Sequence, residues 1–547
     1  MNQTSFVSGR VRQSRGVTRV SLRCRLTVVL ACALSSSIGI MAQVPGLTGD
    51  WNVNASANWT SASWTGLQAG TNYPSGVSAV ADVVQDINGT RTLTLDVPVT
   101  LGTLRLGDTN ATNAFLIGVT GGNALTFDNG GAGAILDHTV GNTVSGGPSK
   151  NPSGSDRIDA PVILNDDLTI YAQQNIEFRG PWTGNGNDIT LSSTGRATWN
   201  ALGTAPASSI LSGINTLNIL NGDVRFNGTP GVANSDLIGA TTINLGDGWA
   251  TTGGSGFRVF PRLILIDMET TQAATLNING GWFRSDLGTL VPMNGDGMDI
   301  WSGAINFYGA ANTNIFEVND AGTPEVHYVS GVIGGTGGFS KTDTGTLNLL
   351  AANPILGDIY VQRGGVNGAG LTGKGSLTLS GPNGALTDVG TLVVSRDGLI
   401  LLQNGVDANS DRVADDAALL MRGAGRFRLQ GNGGVAVTET IGAVTLENGT
   451  GEFSIDLNDA TPQATSLTVA SITRQAGAVG QVVLLDNVAG GLGSTAKFFV
   501  ADGGATMSLF GGGGANGSTT MTIAQGLTGG VNNLADHFIT FDSATPN

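Results

Sequence analysis

A short motif recurs along this chain: an apolar residue, a small polar residue (usually Thr, Asn or Ser), then a second apolar residue. It appears as Leu93-Thr94-Leu95, Leu125-Thr126-Phe127, Leu168-Thr169-Ile170, Ile189-Thr190-Leu191, Leu217-Asn218-Ile219, Ile243-Asn244-Leu245, Leu276-Asn277-Ile278 and Ile305-Asn306-Phe307. It continues as Leu347-Asn348-Leu349, Leu377-Thr378-Leu379, Val444-Thr445-Leu446, Phe453-Ser454-Ile455 and Leu467-Thr468-Val469. Alternation of this kind puts the two apolar side chains on one face of a strand and the polar one on the other. A strand this short cannot bury enough surface to stand alone. Copies spaced mostly in the twenties to low thirties are the mark of a solenoid, in which each turn of chain is covered by the next. Because the unit is a strand, the sequence predicts an all-β fold, a parallel β-helix (β-solenoid).

Composition agrees with that reading. Gly accounts for 85 of 547 residues, with no Gly-X-Y period, which excludes collagen. Apolar residues make up 40%, too many for a disordered chain, and charged residues only 12%. The outward positions of the strands are therefore expected to carry ladders of Thr, Ser and Asn.

Residues 331–370 hold the most regular unit, including GGTGGFSKTDTGTLNLLAANPILGDIYVQRGGV. Its Gly337, Gly338, Phe339, Ser340, Lys341, Gly345, Thr346, Leu347, Leu349, Asn353, Gly357, Val361, Gly364 and Gly365 resemble the autotransporter-associated β-strand repeat. The match departs after Asn353, where Pro354-Ile355-Leu356 replaces the usual Asn-Thr-Tyr-Thr-Gly. The opening GDWNVNASANWTSASW resembles the N-terminal portion of large secreted proteins that carry such repeats. The resemblance implies a right-handed parallel β-helix of passenger type, secreted or exposed at an outer membrane, with no catalytic residues.

The first 42 residues contain no acid and six Arg, the last at Arg25, after which an apolar run extends from Leu26 to Met41. They read as a secretory signal peptide. Without it, 20 basic residues face 41 acidic ones, which argues against nucleic acid or an anionic membrane surface as partner. Both cysteines, Cys24 and Cys32, fall inside the signal, so the remainder has no disulfide and no thiolate metal site. Beyond it, the expected organisation is an N-terminal cap with the first strands (43–110), the β-helix (111–470) and a looser C-terminal β region (471–547) expected to be incomplete. No apolar stretch after the signal is long enough to span a bilayer.

Few residues suggest chemistry. Trp51, Trp59 and Trp64 could form a platform for sugar or pack as a cap over the first coil. Asp407, Asn409, Asp411 and Asp415 alternate like a Ca²⁺ loop, although Arg412 stands where the loop's Gly belongs and Ala418 where its Glu belongs. Ser155-Asp156-Arg157 and Ser410-Asp411-Arg412 look like copies of one turn, with Asp accepting backbone N–H groups and Arg pairing with it. Gly368-Ala369-Gly370-Leu371-Thr372-Gly373-Lys374 resembles a dinucleotide loop, but Gly375 replaces the Ser/Thr of a phosphate loop and no helix follows. His138, His327 and His537 lie far apart in sequence. The reading is therefore an exported, non-enzymatic adhesin or structural passenger, without cofactor or metal, whose partners are surface glycans or cell-surface proteins. The alternative is a polysaccharide lyase or hydrolase using acids such as Asp166-Asp167 or Asp415-Asp416.

Overall fold

The structure, a computed structural model, describes residues 48–540 apart from 62, 111, 140–154, 201–210, 229–237, 247–260, 267–270, 287–297, 320–325, 363–374, 458–462, 486–494, 514–519 and 532–533. The predicted signal peptide and the Gly368-to-Lys374 segment lie outside the described residues. The compact unit beginning at Leu47 is a parallel β-helix, and every regular element described in it is a strand.

Each turn of chain lays strands on three faces in a fixed order. Leu168–Ala172 lies on the first face, Asn175–Phe178 on the second and Trp182–Thr183 on the third; Ile189–Ser193 then returns to pair with Leu168–Ala172. The first face stacks Leu168 on Ile189, then Leu217, Ile243, Leu276 and Ile305, all parallel and in register. Among the described residues the second face is an open ladder of seventeen strands. Its first strand, Ala57–Asn58, pairs with Arg91–Leu95, and its last, Ala496–Val500, pairs with Thr465–Arg474. Parallel pairing thus begins before residue 111 and continues beyond 470.

The triplets do not form one column. Those between Leu168 and Phe307 share the first face, but Leu93-Thr94-Leu95 lies on the second, and Leu125-Thr126-Phe127 and Leu347-Asn348-Leu349 on the third. Alternation reports which side chains point inward, and all three faces share that pattern. The inward residues are buried throughout: Leu168, Ile170, Leu217, Ile219, Leu276 and Ile278 expose 1% or less. Aromatic rings stack along the core from coil to coil. Trp199 and Phe226 stack at 5.3 Å, and Phe307 and Phe339 at 4.7 Å.

The corners show why Gly is so common. A Cβ on Gly338 would lie 1.9 Å from the Asp358 carbonyl oxygen, and one on Gly331 would lie 1.9 Å from that of Gly303. Successive backbones touch there, and only hydrogen fits. Buried amides clamp other corners. Asn353 accepts the Ile333 N–H at 2.8 Å and donates to the carbonyls of Ala351 and Ala385, so one side chain ties three coils together.

Both ends depart from the parallel pattern. Thr48–Trp51 pairs antiparallel with Trp64–Thr65, setting Trp51 opposite Trp64. The indoles of Trp51 and Trp59 pack on Trp64 at 5.2 and 4.8 Å. Near the other end, Ile523–Val531 extends the third face in parallel, then pairs antiparallel with Leu509–Phe510 and Leu534–Thr540.

Candidate functional site

The outward positions of the first face form aligned ranks. Thr190, Asn218, Asn244, Asn277 and Asn306 occupy one register position on successive coils. Their side chains make a one-way ladder. The amide nitrogen of Asn306 donates to Asn277 Oδ1 at 3.0 Å, Asn277 to Asn244 at 2.9 Å, and Asn244 to Asn218 at 2.8 Å; Asn218 reaches the Thr190 hydroxyl at 3.4 Å. Each central Asn spends one N–H and one oxygen lone pair on the ladder and keeps one of each for an outside partner. Two residues earlier on the strands, Thr216, Thr242 and Thr275 form a second rank.

Two residues later lies a third rank, holding Tyr171 and Ser192 at one end and Asn279 and Tyr308 at the other. Tyr171, Leu220 and Tyr308 are among the exposed large side chains of the protein, at 39, 37 and 41%. Just past Tyr308 the corner opens into a cleft of about 520 Å³, lined by Gly309, Asn312, Thr336, Gly338, Asp358 and Tyr360. The strands position these groups by parity alone: after an inward Ile170 or Phe307, the next side chain must point out.

The ion pairs described lie elsewhere. On earlier coils of the first face Arg105 bonds Asp82 and lies 3.7 Å from Asp137. Burial, helped by Asp50 and Asp137, raises the Asp82 carboxyl above its ordinary range against the pull of Arg105. On the second face Asp223 lies 3.3 Å from Arg196 and 3.6 Å from Arg262, whose guanidinium sits 4.4 Å over Trp282. Farther along, Arg284 is 3.3 Å from Glu317. Burial, with Asp343 adding to it, pushes Glu317 upward despite Arg284 and Arg262.

No family model, curated protein or solved structure matches the chain. The repeat resemblance therefore stands on its own residues. Their geometry is specific. Lys341 is fully buried and donates to the carbonyls of Thr342, Asp343 and Gly345, closing the turn that follows its strand. Leu347 and Leu349 are core residues, and Asn353 is the clamp described above.

The loop read as a candidate calcium site is closed by Arg412. Its guanidinium, buried with no exposure, receives the oxygens that a cation would: the carbonyls of Gly384 (2.7 Å), Gly381 (3.0 Å), Gln403 (2.9 Å) and Asp407 (2.8 Å), and Asn404 Oδ1 (2.8 Å). The carboxylates of Asp407, Asp411 and Asp415 are exposed, and Asn409 caps the Asp411 N–H at 2.9 Å. Among the described residues no three His, Cys, Asp or Glu side chains are grouped to hold a metal. Beside Arg412, Glu439 accepts the N–H groups of Arg412 and Val413 at 3.1 and 3.0 Å. Burial raises Glu439 to about 8 and lowers Arg412 to about 10.

The two Asp-Arg segments are also not copies of one turn. Asp156 lies buried on a second-face strand, accepts the Phe115 N–H and meets His138 Nε2 at 2.6 Å, while Arg157 pairs with Asp159. Trp51, Trp59 and Trp64 expose 3, 0 and 6%, leaving no indole face for a sugar; their N–H groups bond backbone carbonyls. Asp166 accepts N–H groups from Asn129 and Gly131, and Asp167 accepts that of Asp188, so both hold turns. Asp415 and Asp416 are exposed. Sequence reasoning missed Tyr171 and Tyr308, although each directly follows a triplet, the parity that faces outward.

Proposed function

We propose that this chain is an exported, non-enzymatic β-solenoid that acts at a cell surface as an adhesin or structural passenger. The observation that supports it is the first face: an uncharged, hydrogen-bonding ladder in register over five coils, set on a core that takes up the apolar residues. Such a surface binds by repetition rather than by one reactive centre, and stability is shared between neighbouring coils. The basic, apolar leader and the passenger-type repeat resemblance support export. Labelled full chain should bind whole cells in a panel of bacterial and eukaryotic types scored by flow cytometry. Absence of saturable binding to every cell type would refute the adhesin reading.

The alternative, a polysaccharide lyase or hydrolase, draws on the Arg and acid groups of the second face. Asp223 and the Glu317 strand, however, are three coil steps apart, since Asp223 stacks on Arg262, Trp282 and Ile315 in turn. At about 4.8 Å per step, with Glu317 two residues (about 6.6 Å) farther along its strand, the two positions are roughly 16 Å apart, beyond the ~5–9.5 Å that glycosidase acid pairs span. New reducing ends or unsaturated products from acidic polysaccharides, lost in Glu317→Gln, would establish the enzyme instead.

A further inference from the structure

We infer that the first face binds an uncharged polysaccharide laid along the stacking direction, with the cleft beside Tyr308 as its terminal subsite. The inference rests on the adhesin reading and names the ligand class. Charge selects against an acidic glycan. The chain carries 41 acidic against 26 basic residues, and the ranks running from Tyr171 to Tyr308 present no Arg or Lys to pair a sugar carboxylate. The acids at their edge are engaged: Asp188 with the Asn215 amide at 2.8 Å, Asp167 with the Asp188 N–H at 2.9 Å, and Asp137, which stacks beneath Tyr171, with the Thr139 N–H at 3.0 Å.

What the face does present is hydroxyl chemistry. Asn218, Asn244 and Asn277 each offer one N–H and one lone pair outward, at about 4.8 Å intervals, close to the rise of one sugar in an extended chain. The ladder is already fixed by its own hydrogen bonds, so binding orders few rotamers. At its end Asn306 stacks on Gly334, which has no side chain, so nothing above continues the ladder.

The two tyrosines supply the apolar part. Tyr171 and Tyr308 occupy one rank, five coil steps apart, roughly 24 Å, and both rings are about two-fifths exposed. Phenol rings take the C–H face of a sugar while their hydroxyls stay wet. Beyond Tyr308 the cleft adds Tyr360, Asn312 and Asp358, and its volume of about 520 Å³ falls within the ~300–1,000 Å³ of small-ligand sites.

The test is calorimetric titration of the full chain with cellohexaose and with a galacturonate hexamer of equal length. Cellohexaose should bind, and the charged hexamer at least tenfold more weakly. Tyr308→Ala and Tyr171→Ala should each weaken cellohexaose about tenfold with the thermal midpoint unchanged, and Tyr308→Phe should retain most of the affinity. Tyr328→Ala, on the third face, should bind as the parent does. Equal or tighter binding of the galacturonate, or parent-like binding by both Ala variants, overturns the inference. Cell binding that persists while cellohexaose does not bind also overturns it but leaves the adhesin reading standing; cellohexaose binding without cell binding supports the inference and refutes that reading.

Discussion

Replacing Arg412 with Met keeps much of the side-chain volume and removes every donor. Five oxygens each lose one hydrogen bond, although Asn404 Oδ1 keeps the Asn409 N–H, and those of Gly384 and Asn404 belong to buried residues. Charge-assisted hydrogen bonds contribute about 1.5–3 kcal/mol each. The bonds to Gly381, Gln403 and Asp407 lie nearer solvent, and water can replace them. Two bonds then give roughly 3–6 kcal/mol. Burial disfavours the charged guanidinium and lowers Arg412 to about 10, and relief of that desolvation in the variant offsets part of the loss. The net loss is therefore somewhat below the roughly 3–6 kcal/mol of the two buried bonds. Because each coil touches only its neighbours, the loss should be local. Amide hydrogen exchange should accelerate in Ser376–Leu379, Leu399–Leu402 and Ala418–Arg422, with Leu168–Ala172 and Leu217–Ile219 unchanged. Arg412→Lys should lie between, having three donors and no fork. An exchange pattern in Arg412→Met identical to the parent, or accelerated uniformly, would refute the reasoning.

Other perturbations have distinct signatures. Glu439 has a folded pKa raised to about 8 by burial, so the folded chain holds a proton the unfolded chain releases. Its contribution therefore fades as pH rises from about 5 to about 8, by roughly 1.4 kcal/mol per unit, and thermal midpoints across that window should flatten in Glu439→Gln. Gly338→Ala, facing the Asp358 carbonyl, should cost at least about 2–3 kcal/mol, whereas Gly334→Ala, whose Cβ would meet its nearest atom at 3.6 Å, should change the urea midpoint little. Trp59→Ala should cost about 3–5 kcal/mol, with exchange rising in Arg91–Leu95 but not in the coils after Ile305. Equal effects of the two glycine substitutions would contradict the close-approach account.

Much of the fold was legible in the sequence because solenoid strands alternate, and alternation survives in residue type. The stacked core follows from that. Which of three faces a strand occupies does not, since Leu93, Leu125 and Leu168 look alike and differ only in where the intervening corners turn. Arg412 was misjudged for a related reason. Its surroundings are backbone carbonyls, and carbonyl placement is not encoded in the identity of Gly381, Gly384 or Gln403. The sequence therefore showed an acidic loop, while the fold shows a loop closed on its own guanidinium. The Asn ladder was expected as small polar residues facing out; that its amides link to one another depends on register, which the triplets alone do not specify.

The central claim is that successive coils stack in parallel at one strand spacing each, whatever the length of chain between them. Pulsed electron–electron distances between spin labels on the first face test it directly, in a background with Cys24 and Cys32 replaced by Ser. Labels at Thr169→Cys and Asn306→Cys are five steps apart, and labels at Thr103→Cys and Asn306→Cys are seven. The expected backbone separations are roughly 24 and 34 Å, each narrow in distribution. Broad distributions, or two separations that do not differ by about two strand spacings, would contradict the stack.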